Sequence, residues 1–178
     1  MSKNVYDWKE VALMFKVNDA VFYGVHGVCI VEEISKKEIF GSVSDYYTLK
    51  PVYSSKSKVF VPVDRADKTV DLRMVISKDE AEEIILGFKS SESIWVDDDA
   101  ARKLRFTEII KHGTRSELAL LIKTVYEKRN ELISEKKKMH AADERAFAEA
   151  EKILYEEFAY VLGIEKEKVA SYIAEKLA

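Results

Sequence analysis

The sequence predicts an α+β protein in two parts: a small SH3/Tudor-like β-barrel, then an all-helical domain of about five helices. Three observations predict it. Over residues 15–63 apolar side chains recur at every second position, beyond residue 64 they recur at helical spacing behind capping signals, and no proline follows Pro62. The expected boundaries are 1–13 for an N-terminal extension, 14–70 for the β module and 71–178 for the helices.

The extension, MSKNVYDWKEVAL, carries Val5, Trp8, Val11 and Ala12, the spacing of a short amphipathic helix, with a disordered segment as the alternative. After Met14 the pattern changes abruptly. Phe15 and Val17, Val21 and Tyr23, and Val28 and Ile30 alternate as strands do, and Gly24-Val25-His26-Gly27 reads as a tight turn. Gly41-Ser42-Val43-Ser44 has the length and residue types of a hairpin connection. Ser54 to Ser57 implies another, between Tyr47, Leu49 and Val52 on one side and Val59, Val61 and Val63 on the other. Four or five short strands in so short a segment predict a barrel, since curling a sheet on itself removes its exposed edges.

The helices are marked by their ends. Ser77-Lys78-Asp79-Glu80 is a capping-box sequence ahead of Ala81, Ile84, Ile85 and Phe88. A second helix is expected from Val96 or Asp97 to Gly113, its aspartates complementing the positive end of the dipole. Thr114-Arg115-Ser116-Glu117 is another capping box, opening a long helix with Leu118, Leu121, Ile122, Val125, Tyr126 and Leu132 at core spacing. Two more are expected at about 143–162, stopped by Gly163, and at about 165–177.

Composition narrows the function classes. Charged residues make up 34% of 178 residues with a net charge of −3, which excludes a uniformly basic nucleic-acid coat but not a local patch. Such a patch exists: residues 100–140 hold eleven Lys and Arg against five Asp and Glu, whereas residues 66–99 hold four against ten. Cys29 is the only cysteine, so no intrachain disulfide forms, and its apolar strand predicts a buried, inert thiol. His26, His112 and His140 are scattered, and neither phosphate-loop pattern occurs, so no metal, cofactor, small-molecule substrate or enzymatic activity is expected. Glu156-Glu157 reads as part of a solvated helix face. No run approaches the roughly 18 apolar residues of a membrane span, and no signal peptide is evident; the expected compartment is the cytoplasm.

Within the basic block, Arg102, Lys103 and Arg105 fall within about one helical turn, and Lys111, His112 and Arg115 bracket Gly113. Such a corner either grips phosphate or is a solvated face. Trp95, at the mouth of the same helix, reads either as a core anchor or as an apolar wedge against bases. Lys136-Lys137-Lys138 reads as the cationic end of a helix.

In their order along the chain these segments resemble the CarD family, whose RNA-polymerase-interacting domain is shared with transcription-repair coupling factors. The resemblance is carried at the front by Phe15-Lys16-Val17-Asn18-Asp19-Ala20-Val21-Phe22-Tyr23, His26-Gly27-Val28, Tyr47-Thr48-Leu49-Lys50 and Val61-Pro62. At the back it is carried by Arg102-Lys103-Leu104-Arg105-Phe106, His112-Gly113, Ala142-Asp143-Glu144, Ala150-Glu151 and Leu154. It implies a Tudor-like domain that binds the RNA polymerase β subunit, with Tyr23, His26, Lys37 and Phe60 on the partner side. It also implies a helical domain that contacts promoter DNA at the upstream edge of the transcription bubble through Trp95, Arg102, Lys103, Arg105 and Lys111. The protein would then work at the nucleoid by changing open-complex stability through binding alone. The front segment also resembles KOW modules, which leaves open a protein-protein or ribosome-associated adaptor that does not touch DNA.

Overall fold

The computed structural model describes residues 14–39, 41–54, 58–66, 72–89 and 92–178. The extension expected over residues 1–13 lies outside them. The chain divides into two compact units, Met1–Met74 and Val75–Ala178.

The first unit is one antiparallel sheet of five strands: β1 (Ala20–Tyr23), β2 (Val28–Ile39), β3 (Ser42–Pro51), β4 (Val59–Pro62) and β5 (Leu72–Met74), in spatial order β4-β3-β2-β1-β5. Alternation along the strands puts Val21, Cys29, Val31, Tyr47, Leu49 and Val61 on one face, where all are buried, and Cys29 is fully so. A register shift between Val31 and Glu33 bulges β2, and such an extra residue bends a strand and tightens its twist. The turn at Gly24–His26 is a single 3-10 turn closed by Gly27 at φ 67°, with the Tyr23 amide donating to the Gly27 carbonyl at 2.9 Å.

Three expectations are corrected here. Phe15 and Val17 are not in a strand. The Lys16 amide donates to Asp19 Oδ2 at 2.7 Å, Asn18 takes φ 74°, and the resulting turn drops Phe15 into the core edge-on to Tyr47. The connection at Gly41 is shorter than the expected four residues, because β2 runs to Ile39 and β3 begins at Ser42. And Leu72–Met74, beyond residue 64 where helical spacing is expected, is a strand, β5, paired with β1.

The second unit holds α1 (Lys78–Gly87), α2 (Asp99–His112), α3 (Arg115–Ser134), α4 (Ala141–Leu162) and α5 (Val169–Leu177), the last entered through a 3-10 turn at Lys166–Lys168. An antiparallel sheet followed by five helices is the α+β class the sequence predicts. Both capping boxes form: the Ser77 and Thr114 hydroxyls accept from the Glu80 and Glu117 amides, and each glutamate returns a carboxylate to the cap amide. The second helix starts two or three residues later than expected, because Asp98 is its cap and accepts from the Ala101 amide at 2.8 Å. Gly163, at φ 66°, ends α4 in the left-handed conformation that glycine takes without penalty. The core runs through Ile85, Phe106, Leu118, Leu121, Val125, Leu154 and Phe158. Tyr126, expected in it, is exposed.

Candidate functional site

The residues expected at the polymerase interface fall into two pairs. Tyr23, at the end of β1, stacks on His26 of the following turn with ring centroids 5.4 Å apart. Lys37 reaches from β2 to set its ammonium 4.9 Å from the ring centre of Phe60 on β4, while Glu33, one turn of pleat away, holds the same ammonium at 3.6 Å. The register explains the second pair. Glu33, Thr48 and Phe60 form one row across β2, β3 and β4, and Lys37 follows Glu33 at even spacing on the same face. Tyr23 shares instead the face of Val21. Phe60 is 46% exposed, large for an aromatic that caps no core, and the lysine beside it keeps the patch wet at its rim.

The basic helix separates its cations. Arg102 points inward and is 4% exposed. Its Nε and one terminal nitrogen donate to the two oxygens of Asp143 on α4, at 3.1 and 3.0 Å. The same terminal nitrogen reaches Asp99 Oδ1 at 2.6 Å, and the other donates to the Val96 and Asp97 carbonyls at 2.7 and 3.2 Å. All five guanidinium N–H groups are thus used, which is how a buried arginine stays charged. Asp143 first, and Asp99 after it, hold the guanidinium pKa above its ordinary value, and Arg102 in return holds the Asp99 carboxyl below its own. No donor is left over for a phosphate. Arg102, expected on the nucleic-acid face, is a structural residue here.

Arg115 is similarly committed: it donates to both oxygens of Glu157 at 3.1 and 2.8 Å. Glu157 is fully buried and also accepts the Ile76 amide at 3.0 Å, tying α4 to the start of α3 and to the entry of α1. The solvated face expected for Glu156-Glu157 is therefore corrected. Glu157 lies inside the bundle, and Glu156, 8% exposed, binds Lys166.

Trp95 is half-buried in the loop ahead of α2. Its ring meets Phe106 edge-on at 6.4 Å, the Arg102 guanidinium lies 4.2 Å from its centre, and its indole N–H donates to Asp97 at 3.2 Å. One residue earlier, the Ile94 amide donates to the buried hydroxyl of Thr124 on α3. This is the geometry of a core anchor, and the loop is fastened on both sides of the ring.

Lys103, Arg105 and Lys111 remain on the exposed part of α2. Among the described residues their side chains make no ion pair or hydrogen bond, and the same holds for Arg145 on α4. Leu104, between Lys103 and Arg105, is 65% exposed. Arg145 was not singled out by its sequence context, where acidic residues outnumber basic ones; the signal lay in its position two residues after Asp143, on the exposed side of the same helix.

Comparison with known proteins places this geometry. Residues 15–76 match the CarD-like/TRCF RID domain. The matched span takes in the whole of the five-stranded sheet, so the resemblance to the CarD family is borne out there. Over a longer span of 159 residues, the chain is 24% identical to a protein named "Putative transcription factor YdeB" from Bacillus subtilis (strain 168), an alignment covering 89% of this chain and 99% of that one. The likeness to YdeB therefore extends through the helical unit. No helix among the described residues is long and apolar enough to cross a membrane, and no group of three or more His, Cys, Asp or Glu among them is placed to hold a metal ion.

Proposed function

We propose that this chain is a transcription regulator that acts on RNA polymerase at promoters. In this reading the CarD-like unit binds the polymerase β subunit through the Lys37–Phe60 patch and the Tyr23–His26 pair. The helical unit touches promoter DNA near the upstream edge of the bubble through Lys103, Arg105 and Lys111. Open-complex stability then changes by differential affinity, without covalent chemistry. The observation that carries the reading is the match of residues 15–76 to the CarD-like/TRCF RID domain. Two others support it: the name of the YdeB relative, and the division of cations on α2 into a committed Arg102 and unengaged neighbours. A Tudor-like closure of the sheet belongs to the same proposal, with the bulge at Val31/Glu33 supplying the bend. Trp95 serves here to hold the basic helix in place rather than to enter the groove.

The experiment is a pull-down of purified polymerase β subunit by the full chain. Phe60→Ala is expected to weaken capture about tenfold, the ~1.4 kcal/mol of a modest aromatic contact at an interface, with no change in melting temperature. A wild-type protein with no affinity for the β subunit overturns the reading.

The packing of Trp95 favours a second reading, an adaptor of the Tudor or KOW kind that binds protein and leaves DNA alone. The two part at Arg105→Ala. A shorter promoter-complex lifetime with a weaker salt dependence favours the first, and an unchanged lifetime favours the second.

A further inference from the structure

On the outer face of the sheet, where β2 begins and β3 ends, lies a groove of about 340 Å³. Ile30, Pro51 and Val52 supply its apolar surface, and Asn18, Glu32 and Lys50 its polar rim. We infer that this groove seats the chain's own N-terminal extension, with residues 5–12 packed into it as a short amphipathic helix anchored by Trp8. The inference stands apart from the choice of partner for the Phe60 patch.

Chain length brings the extension there. Phe15 is locked in the core against Tyr47, so residues 1–13 leave from a fixed point, and Met14 lies exposed beside it. Asn18 on the groove wall is four residues from Met14, a span of at most about 14 Å, and a helix over residues 5–12 is about 12 Å long. A tether this short gives the segment an effective concentration in the millimolar range, so a weak intrinsic affinity is enough to fill the groove. The walls are already set: the Asn18 amide donates to the Val31 carbonyl and the Val52 amide to the Val28 carbonyl, both at 2.8 Å.

The two surfaces match in chemistry. In the extension Val5, Trp8 and Ala12 stand at i, i+3 and i+7 with Val11 beside them, the spacing by which a helix presents anchors to an apolar groove. Val52, 40% exposed, is the apolar side chain such anchors would cover. On a helix Asp7 borders this stripe on one side and Lys9 on the other. Across the groove Glu32 is held by Lys58 at 2.5 Å, whereas Lys50 makes no ion pair or hydrogen bond among the described residues. Lys50 therefore has a charge to offer, and Asp7 is the acid at the edge of the stripe that takes it. The seated helix lies one row of side chains, about 7 Å, from the row of Thr48 and Phe60, and adds an edge to that patch. The same segment of a second copy would fit as well, but only the short tether supplies a millimolar concentration in a dilute protein.

The test is hydrogen–deuterium exchange of the full chain, read by mass spectrometry for wild type, Trp8→Ala, Val52→Lys and Val43→Lys. Val43 is exposed at the other end of β3 and controls for a new lysine. A helix this short is marginal in water by itself, so protection of residues 5–12 reports docking. Wild type and Val43→Lys are expected to exchange there at least about tenfold more slowly than an unstructured chain. Trp8→Ala and Val52→Lys should exchange at the unstructured rate, with β2 and β3 equally protected in all four proteins. Alanine is the better helix former, so the loss in Trp8→Ala does not come from propensity. Unstructured exchange over residues 5–12 in wild type overturns the inference. Protection that survives Val52→Lys also overturns it, since the segment then docks elsewhere. Protection that disappears on dilution assigns the groove to the extension of a second copy and overturns docking within one chain.

Discussion

Replacing Arg102 by alanine separates a residue that holds the fold from the neighbouring cations proposed to hold a ligand. The substitution removes both hydrogen bonds to Asp143, which is itself 3% exposed, and so leaves a buried carboxylate without a countercharge. It also releases the Val96 and Asp97 carbonyls and takes the guanidinium from the face of Trp95. Breaking a buried ion pair from one side costs about 3–5 kcal/mol. For a chain of this size each kcal/mol moves the melting temperature by roughly 2–4 °C, so the expected fall is about 6–20 °C. Lys103→Ala and Arg105→Ala, exposed and unpartnered, should stay within about 0.5 kcal/mol of wild type. Thermal unfolding followed by circular dichroism measures the difference. Promoter-complex lifetime over a salt series, taken well below the melting temperature, supplies a second axis: Arg102→Ala should leave the salt slope as in wild type, because no phosphate contact is lost. An Arg102→Ala protein that melts with wild type and shows a reduced salt slope would refute the reasoning and return Arg102 to the DNA-facing set.

Gly113→Ala should destabilise the α2–α3 corner by about 1–3 kcal/mol, the usual cost of overpacking, because the added Cβ would lie 2.4 Å from the Ile109 carbonyl oxygen. A denaturant midpoint equal to wild type would show that the corner relaxes freely. Acid should weaken the protein through its helix caps. Backbone and hydroxyl hydrogen bonds from Ser77 and Thr114 hold the Glu80 and Glu117 carboxyls below their ordinary pKa. With the folded pKa below the unfolded value of about 4.3, this stabilisation is complete above that value and lost as pH falls through the folded one. Glu151 has the opposite sign: burial raises its pKa, so its contribution is full below the unfolded value and is lost as pH rises through the folded one. Melting temperature should therefore drop below about pH 4, and a Glu80→Gln, Glu117→Gln double variant should flatten that limb. An acid limb with unchanged slope would place its cause elsewhere.

What was legible in the sequence was local. Ser77 with Glu80, Thr114 with Glu117, and Gly163 each solve a helix-end problem with residues three or four apart, so the helices could be placed before any packing was known. β5 could not be placed that way. Three residues show no period, and Leu72–Met74 is a strand only because β1 lies beside it. The charged interior was hidden for the same reason: Arg102 finds Asp143 across 41 residues and Arg115 finds Glu157 across 42. A trace of it was present even so. Arg102, Phe106 and Ile109 stand at i, i+4 and i+7, so Arg102 shares the apolar stripe of its helix, as Glu157 sits beside Phe158 among the buried positions of α4. A charge on an apolar stripe is a sign of a buried pair; a cluster of like charges in sequence is not by itself a sign of a surface.

The same pairing changes the meaning of the aspartates ahead of α2. Three consecutive carboxylates beside a basic helix would oppose a phosphate backbone if all three faced solvent unengaged. Each has a task instead. Asp97 accepts the Trp95 indole N–H, Asp98 caps the helix where the dipole is positive, and Asp99 is bound to Arg102. Their field at the outer face of α2 is reduced by these partners, whereas Lys103, Arg105 and Lys111 keep theirs undiminished. The acidic run thus fixes the loop, the loop fixes Trp95, and Trp95 with Arg102 fixes the inner face of a helix whose outer face is basic. If these cations meet promoter DNA as proposed, their place on a rigid helix means that little ordering cost opposes each phosphate contact.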